Sequence, residues 1–507
     1  MPTATVVRTS PTRGGMFRVA TGADPESFDS YQAETSATVL LVAPAYSNLV
    51  TYNPAKPNEL IGDLAENWEV SEDGKVVTFH LRSGVKWHDG KPFTSEDVVY
   101  LLNLQKSPPP GYVARQKDTF KFVSKIDAKD DKTVRLTFSQ IDVTFLPRFA
   151  IDYFGVQPKH ILAAKGNMKT EMVGTGPFKL KTFEPGSHME LVRNPSYFRP
   201  GLPYLDGVTF FIIRDQSTAV AALRTGKVDF ANSTRRLTPS EAKSATQANP
   251  NIEVVKQPRL GGPQFYFNFK VKPFDDVRAR QAVSLAFDRH LAIEVVAEGA
   301  ARVGTFVQPG GRWARPQTQV ESLPGYRKGK APDLAKAKEL VTAAGATGAQ
   351  FVIEAREDVV TISEFMQTQL QQLGFKVTVR PHTRAQSTEV HRAKKFTMST
   401  ARNAYTDDDV IDVGRKWTTA SALNYGEYSN SKLDELMKLQ AQMVDFAKRF
   451  QVIQQIDDIL IEDTPVILTY WEDQFLGKGK YVKDLSIGTS IYALNRFETV
   501  WLDKRTP

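Results

Sequence analysis

Seven histidines are the first residues to ask for chemistry: His80, His88, His160, His188, His290, His382 and His391. No two stand four apart on one helical face, and no His-Glu-x-x-His run is present, so the spacing of a zinc-hydrolase site is missing. There is no cysteine, which removes thiolate metal sites, cysteine nucleophiles and disulfides together. A Gly-x-Ser-x-Gly elbow is also absent. Gly174-Thr175-Gly176-Pro177 has glycines enough for a phosphate cradle, but no Lys-Ser/Thr follows and Pro177 removes an amide donor. Asp457-Asp458 sits in an amphipathic helical stretch and reads as its solvent face. These residues lead us to expect no catalytic residue, no metal site and no cofactor.

A chain of 507 residues is too long for one ordinary core, so two to four structural units are expected. Hydrophobic residues make up 41%, the level of a globular protein. The apolar stretch Val39 to Ala43 stops at Pro44, and nothing approaches the roughly eighteen apolar residues of a membrane span. Sixty-five basic against 57 acidic residues give a formal charge of +8, spread thinly. The densest groups, His391 to Lys395 and Lys478 to Lys480, are short and carry no stacking platform, which argues against nucleic acid as a partner. The lack of cysteine favours an oxidising compartment, although chance loss of a rare residue gives the same result. Met1 to Gly15 is polar, without the apolar core of a secretory signal, so Pro2 to Gly14 reads as a loose leader. A periplasmic protein whose signal was trimmed fits these features, and a cytoplasmic one remains the alternative.

The elements that would position any site alternate between strand and helix. Phe17 to Ala20 and Val76 to Leu81 read as strands, the latter entered by the turn at Asp73-Gly74. Thr94 with Asp97 three residues on forms a capping box before Val98 to Leu102. Helices are expected over Thr218 to Gly226, Asp276 to Arg289, Asp333 to Ala344 and Ile362 to Leu373. Two more share Leu433 to Glu462. Phe375 to Val379 and Val466 to Tyr470 read as strands.

The runs Leu64-Ala65-Glu66-Asn67-Trp68 to Gly74 and Phe79 to Val98, with Gly84-Val85-Lys86-Trp87-His88-Asp89-Gly90-Lys91-Pro92-Phe93 at the centre, closely resemble the signature of the family 5 solute-binding proteins. These are the peptide/nickel-type receptors of ABC importers, the dipeptide- and oligopeptide-binding proteins among them. Further matches follow in the family's order: Gly174 to Phe178, Arg193 to Phe198, Ala222 to Asp229, Phe274 to Ala282, and Asn424-Tyr425 with Leu433 to Leu436. The resemblance spans roughly residues 60 to 470. Trp68 and Trp87 read as core anchors, and Gly74 and Gly90 as turn residues.

The resemblance implies an α/β, periplasmic-binding-protein-like two-lobed fold (type II, cluster C) with an extra domain inserted in the first lobe. The expected boundaries are 1–40 for the first segment of lobe 1, 41–173 for the extra domain, 174–264 for the second segment of lobe 1, 265–480 for lobe 2 and 481–507 for the closing segment of lobe 1. It implies an extracytoplasmic, monomeric substrate-binding protein that captures a peptide, opine or similar solute and hands it to a membrane permease. A nickel chelate or an oligosaccharide is the alternative ligand, and an enzyme or chaperone on the same scaffold the alternative class. In the peptide receptors a carboxylate on a lobe-two loop pairs with the ligand amine; that loop corresponds here to Ala401 to Asp408, including Tyr405. Asp407 is the matching acid, though Ala401 replaces the usual Trp and Asp408 the usual Pro, and three adjacent acids also fit a solvated turn. Arg356 matches a carboxylate-binding arginine loosely, with a surface salt bridge as the other reading. Phe265-Tyr266-Phe267-Asn268 resembles the strand bordering the cleft, with Phe265 and Phe267 on one face and Tyr266 and Asn268 on the other. Trp417 is a candidate pocket wall, and Thr35 lies in the family's first cleft loop.

Overall fold

The computed structural model describes residues 10–503 except 34, 233, 406–408, 420, 422 and 489. The chain divides into two compact units, Met1–Gln257 with Gln474–Pro507, and Pro258–Asp473.

The first unit is built on a mixed sheet. Met16–Thr21 pairs in parallel with Gly207–Ile212 on one side and with Phe230–Ala231 on the other. His188–Arg193 and Phe178–Glu184 extend the sheet as an antiparallel meander. Alternation along Met16–Thr21 sends Phe17 and Val19 into a core with Val208 and Phe210, while Ala20 meets Ala219 and Leu223 of the helix Gln216–Arg224 on the opposite face. The same unit holds a second, antiparallel sheet in the order Ala65–Val70, Val76–Leu81, Thr133–Phe138, Val123–Asp130. Val77, Phe79 and Leu81 point inward under the helix Ser95–Lys106, whose Val98, Leu101 and Leu102 close a separate core. Asp97 accepts from the Thr94 N–H at 3.0 Å, as the capping box requires. Trp87 is buried edge-on to Phe93 and Trp68 is half-buried against the same core. Gly74 and Gly90 take the left-handed backbone (φ 65° and 89°) that their turns need.

The second unit contains a five-stranded sheet ordered Lys376–His382, Gln350–Arg356, Met398–Ala404, Gly261–Phe267, Val466–Leu468. The first three strands run parallel, and Gly261–Phe267 is antiparallel to both of its neighbours. Helices Val360–Gln371 and Arg384–Arg392 make the crossovers between the parallel strands. Phe265 and Phe267 pack with Phe274, Phe287 and Phe351, whereas Tyr266 packs with Val410, Val413 and Trp417 on the other face. The expected alternation of this strand is therefore observed.

Three local expectations are corrected. The helix expected over Asp276 to Arg289 is observed as Val277–Ala286 and ends short, and a second helix, Arg289–Val295, starts at the last residue of that stretch. Asp288 breaks it: its carboxylate accepts from the Leu291 N–H at 3.0 Å, and capping a new helix outcompetes extending the old one. Residues 401–404, read as part of a loop, continue the strand Met398–Ala404. Asp457 does not face solvent; it is fully buried, accepting from the Phe306 N–H at 3.0 Å and Arg315 Nε at 2.8 Å, while Asp458 is the exposed partner.

Candidate functional site

Topology marks one edge of the second unit before any side chain is considered. From Gln350–Arg356 the chain crosses to Lys376–His382 on one side, then passes back to Met398–Ala404 on the other. Connections that diverge in this way leave a crevice outside the carboxyl ends of the two central strands, where open α/β sheets hold their ligands. Arg356, Asp358, Arg402, Asn403 and Tyr405 stand at those two ends.

Their side chains belong to two polar groups, one around Asn403 and Tyr405 and one around Arg356 and Asp358. Asn403 lies opposite Gly262 and donates to Gln264 Oε1 at 2.9 Å and to the Tyr266 hydroxyl. Gln264 in turn donates to the Tyr405 hydroxyl. Tyr405 stacks on Trp471 with centroids 5.3 Å apart, and Lys416 Nζ lies 3.9 Å over the Tyr405 ring. Trp471 Nε1 is fixed on the Thr305 carbonyl at 2.9 Å, so the aromatic pair is held rigidly. Arg356 forks onto Asp358 and donates to the Arg402 carbonyl at 3.0 Å. Burial pushes the Asp358 carboxyl up, but Arg356 and Arg402 outweigh it and hold the group below the usual range. His391 stacks on Tyr425 at 4.9 Å, touches Ser399 Oγ at 2.8 Å, and is lowered to about 4 by burial and then by Arg356, so it is neutral.

The first unit has an edge of the same kind, at the carboxyl ends of Met16–Thr21 and Phe230–Ala231. Gly22 N–H donates to Thr234 Oγ1 at 2.9 Å, and Thr234 Oγ1 donates to Asn232 Oδ1 at 2.7 Å. The Arg235 guanidinium donates to the carbonyls of Ile213 at 2.6 Å, Arg214 at 2.7 Å, Gly22 at 3.1 Å and Thr234 at 3.3 Å. A Cβ on Gly22 would fall 2.6 Å from that guanidinium, so any side chain there would have to displace Arg235.

The residues expected from sequence are distributed unevenly over these edges. Arg356 and Tyr405 stand at the second-unit edge, one in each polar group. Trp417 is buried 5.8 Å from Tyr266 on the same face, with its indole N–H unpartnered among the described residues. Asp407 lies outside the described residues. Phe267 is enclosed in the core against Phe274 at 4.5 Å. Asn268 is spent on a turn, donating to the Lys394 carbonyl and accepting from the Lys270 N–H, each at 3.0 Å. Thr35 is exposed just before the helix Ser36–Val42, with Oγ1 3.5 Å from Thr38 Oγ1. Gln264, Arg402, Asn403 and Glu472 are not singled out by the sequence; strand alternation puts Gln264 on the face of Tyr266, both buried, but no local pattern brings Glu472 to Arg402. Gly174 and Gly176 are packing positions: a Cβ would fall 1.9 Å from the Ala45 carbonyl oxygen at the first and 2.5 Å from the Ala45 carbonyl carbon at the second.

Among the described residues no group of three or more acids and histidines is arranged to hold a metal ion, and no helix is long and apolar enough to cross a membrane. The glutathione-binding protein GsiB of Escherichia coli (strain K12) is 26% identical over 468 residues, covering 89% of this chain and 87% of its own. The GsiB protein of Shigella flexneri gives the same identity and coverage. Among solved structures, the ABC transporter-associated periplasmic binding protein DppA from Helicobacter pylori, in complex with the peptide STSA, superposes with a TM-score of 0.83 at 24% identity, covering 97% of this chain and 99% of that one. AgaA from A.tumefacien R10, in complex with agropinic acid, gives 0.81 at 23% identity, covering 96% and 99%. The expected α/β periplasmic-binding-protein fold is the one these structures share with this chain. Residues 59–422 match the family described as bacterial extracellular solute-binding proteins, family 5 Middle. Most of the sequence lies within that match, and the chain belongs to the family 5 bacterial extracellular solute-binding proteins.

Proposed function

We propose that this protein is the receptor of an ABC import system, binding a small peptide- or opine-like solute and passing it unaltered to the membrane permease. The observation that carries the reading is the second-unit edge: Gln264, Tyr266, Asn403 and Tyr405 form a prearranged donor–acceptor set on rigid strands at the topological switch point. Glutathione, a peptide and agropinic acid, named for GsiB, DppA and AgaA, support a ligand of that class. We assign Tyr405, Trp417 and Arg356 to the lining of this edge and Asp407 to the ligand amine; Thr35 is assigned to ligand binding within the first unit. Phe267 and Asn268 shape the strand beneath it. The protein acts as a monomer in the periplasm, without nucleic acid, metal or catalysis.

A thermal-shift screen of the purified chain against dipeptides, glutathione, opines, sugars and nickel chelates, with chromatography of each mixture, tests the reading. A peptide- or opine-like compound that stabilises the protein and is recovered unchanged is the expected result. A compound that is consumed would overturn it.

A further inference from the structure

The formal charge, thinly spread along the chain, is not shared evenly by the units. The first holds 37 basic and 30 acidic residues, a surplus of seven, and the second 28 and 27, a surplus of one. Part of the first unit's surplus collects at the amino ends of the parallel strands Met16–Thr21 and Phe230–Ala231, opposite the switch-point edge. Strand Trp471–Gly479 runs antiparallel to Phe230–Ala231, so its last residue reaches the same end, where the Gly479 N–H donates to the Asp229 carbonyl at 2.9 Å. The next residue, Lys480, donates its N–H to the Asn251 carbonyl at 2.8 Å, and Asn249 Nδ2 donates to the Arg224 carbonyl at 2.9 Å. Lys227 closely precedes Asp229. Val482–Lys483 pairs with Trp501–Leu502, and Thr12 Oγ1 donates to the Leu502 carbonyl at 2.8 Å, which brings Lys483 and Arg13 to this end as well.

Arg13, Arg224, Lys227, Lys480 and Lys483 have no carboxylate partner among the described residues, and all but Lys483 are exposed. The other cations of this end are neutralised, Arg18 by Asp229, Arg193 by Asp206 and Lys478 by Glu253. Against the five stands Asp484, an exposed acid whose Oδ2 accepts from Trp501 Nε1 at 2.8 Å. Arg224 lies in the last turn of the helix Gln216–Arg224 and Lys227 just beyond it, where cations complement the helix dipole. That reason does not reach Arg13, Lys480 or Lys483, none of which follows a helix. The carboxyl-end edge of the same sheet has no such excess: Asp24, Asp215 and Glu241 stand there with Arg214, Arg235 and Arg236.

We infer that this amino-end edge rests on an anionic lipid surface, with the five cations among its headgroups. The make-up of the edge favours lipid over a protein partner. A protein interface has an apolar centre inside a polar rim, but the large apolar side chains exposed in this unit, Val70 and Val113 among the described residues, belong to the part around the antiparallel sheet. Long lysine and arginine side chains without an apolar anchor match a fluid layer of negative headgroups, which asks for charge and not for shape. In this pose the carboxyl-end edge of the first unit points away from the lipid and stays open to solutes in the solvent. The binding itself does not depend on the receptor reading; its use does, since it keeps the receptor beside the membrane that carries its permease.

Co-sedimentation of the full chain with vesicles of phosphatidylcholine, alone or with about 30% phosphatidylglycerol, tests this. Wild type is expected to bind the mixed vesicles at about 0.02 M salt and to leave them at about 0.5 M, where the Debye length falls to a few Å. It should ignore phosphatidylcholine alone. The double variant Lys227→Gln/Lys480→Gln should bind roughly tenfold or more weakly, since each cation at such a surface changes partitioning about fivefold. Removing two exposed cations of the second unit, in Lys376→Gln/Lys395→Gln, should change binding less than about twofold. Both variants should melt within about 2 °C of wild type, which separates a lost contact from a lost fold. Failure of wild type to bind the mixed vesicles, equal binding to both kinds of vesicle, or equal losses in the two double variants would each overturn the inference. So would displacement by millimolar inorganic phosphate at constant ionic strength, the mark of a discrete anion site, or binding to poly-L-glutamate in place of vesicles, the mark of an acidic protein partner. Solute binding, read separately by thermal shift, stands or falls without these results.

Discussion

Asp152 is a buried carboxylate whose protonation is coupled to folding. It is buried with its side chain on Asn495 Nδ2 at 2.6 Å, and burial pushes its pKa up to about 7 against the help of Asn495 and Arg496. A raised carboxyl keeps its proton in the folded state while the unfolded chain has lost it, so stability falls as pH rises from about 4 to about 7. Asp152→Asn mimics the protonated form; relative to wild type it should gain stability with rising pH across that window, by a few kcal/mol at most, as read by urea unfolding at a series of pH values. His88 and His391 act in the opposite sense. Burial lowers each to about 4, so each stays neutral in the fold and withdraws stability as pH falls from about 6.5 to about 4. Removing Asp457, which pairs with Arg315 and caps the Phe306 N–H, should cost about 3–5 kcal/mol in Asp457→Ala, seen as a lower urea midpoint. If Asp407 holds the ligand's amine, Asp407→Ala should weaken an amine-bearing ligand at least about tenfold while leaving its N-acetyl form unaffected, by calorimetry. None of this burial is legible locally. Asn495 is 343 residues from Asp152 and Arg315 is 142 from Asp457, so an acid pair on an amphipathic helix reads as solvent-facing until the fold brings its partner.

At the scale of elements, glycines separate two kinds of constraint that look alike in sequence. Gly90 has a left-handed φ of 89° with open space around it, so Gly90→Ala should cost only backbone strain, about 1–2 kcal/mol. Gly174 faces the Ala45 carbonyl oxygen, where a Cβ would fall at 1.9 Å. Gly174→Ala must push apart two backbones and should cost at least the 1–3 kcal/mol or so of an overpacked core; equal urea midpoints for the two variants would contradict this distinction. The turn at Gly90 is read from Asp-Gly alone, whereas the approach of residue 174 to residue 45 is tertiary. The same divide runs through the helices. Their glycine ends at Gly345 and Gly374 are visible in the sequence, with φ of 63° and 85°. The break before Arg289 is not, because the apolar spacing runs through it and only the Asp288 side chain marks the restart. Strand alternation was the surest guide, since Phe265, Tyr266 and Phe267 sort onto their faces by period two alone.

For the whole molecule, the fold was recognisable because its scaffold motifs are contiguous in sequence, between Leu64 and Val98 above all. The proposed binding edge was legible only in part: Arg356 and Tyr405 follow from the resemblance, whereas Gln264 and Asn403 join the edge only through the strand order of the second unit. The two units each present a switch-point edge, and the central claim is that such an edge holds a small solute for transport. Native mass spectrometry of the full chain, purified without denaturation and compared with the denatured chain, tests this most directly. The account predicts an added mass below about 1 kDa, lost on denaturation, together with a Tm rise when the released compound is returned, corresponding to about 2.7 kcal/mol at a hundredfold excess over Kd. A chain that carries no added mass, and whose Tm is unmoved by every peptide, glutathione and opine offered to it, would contradict it.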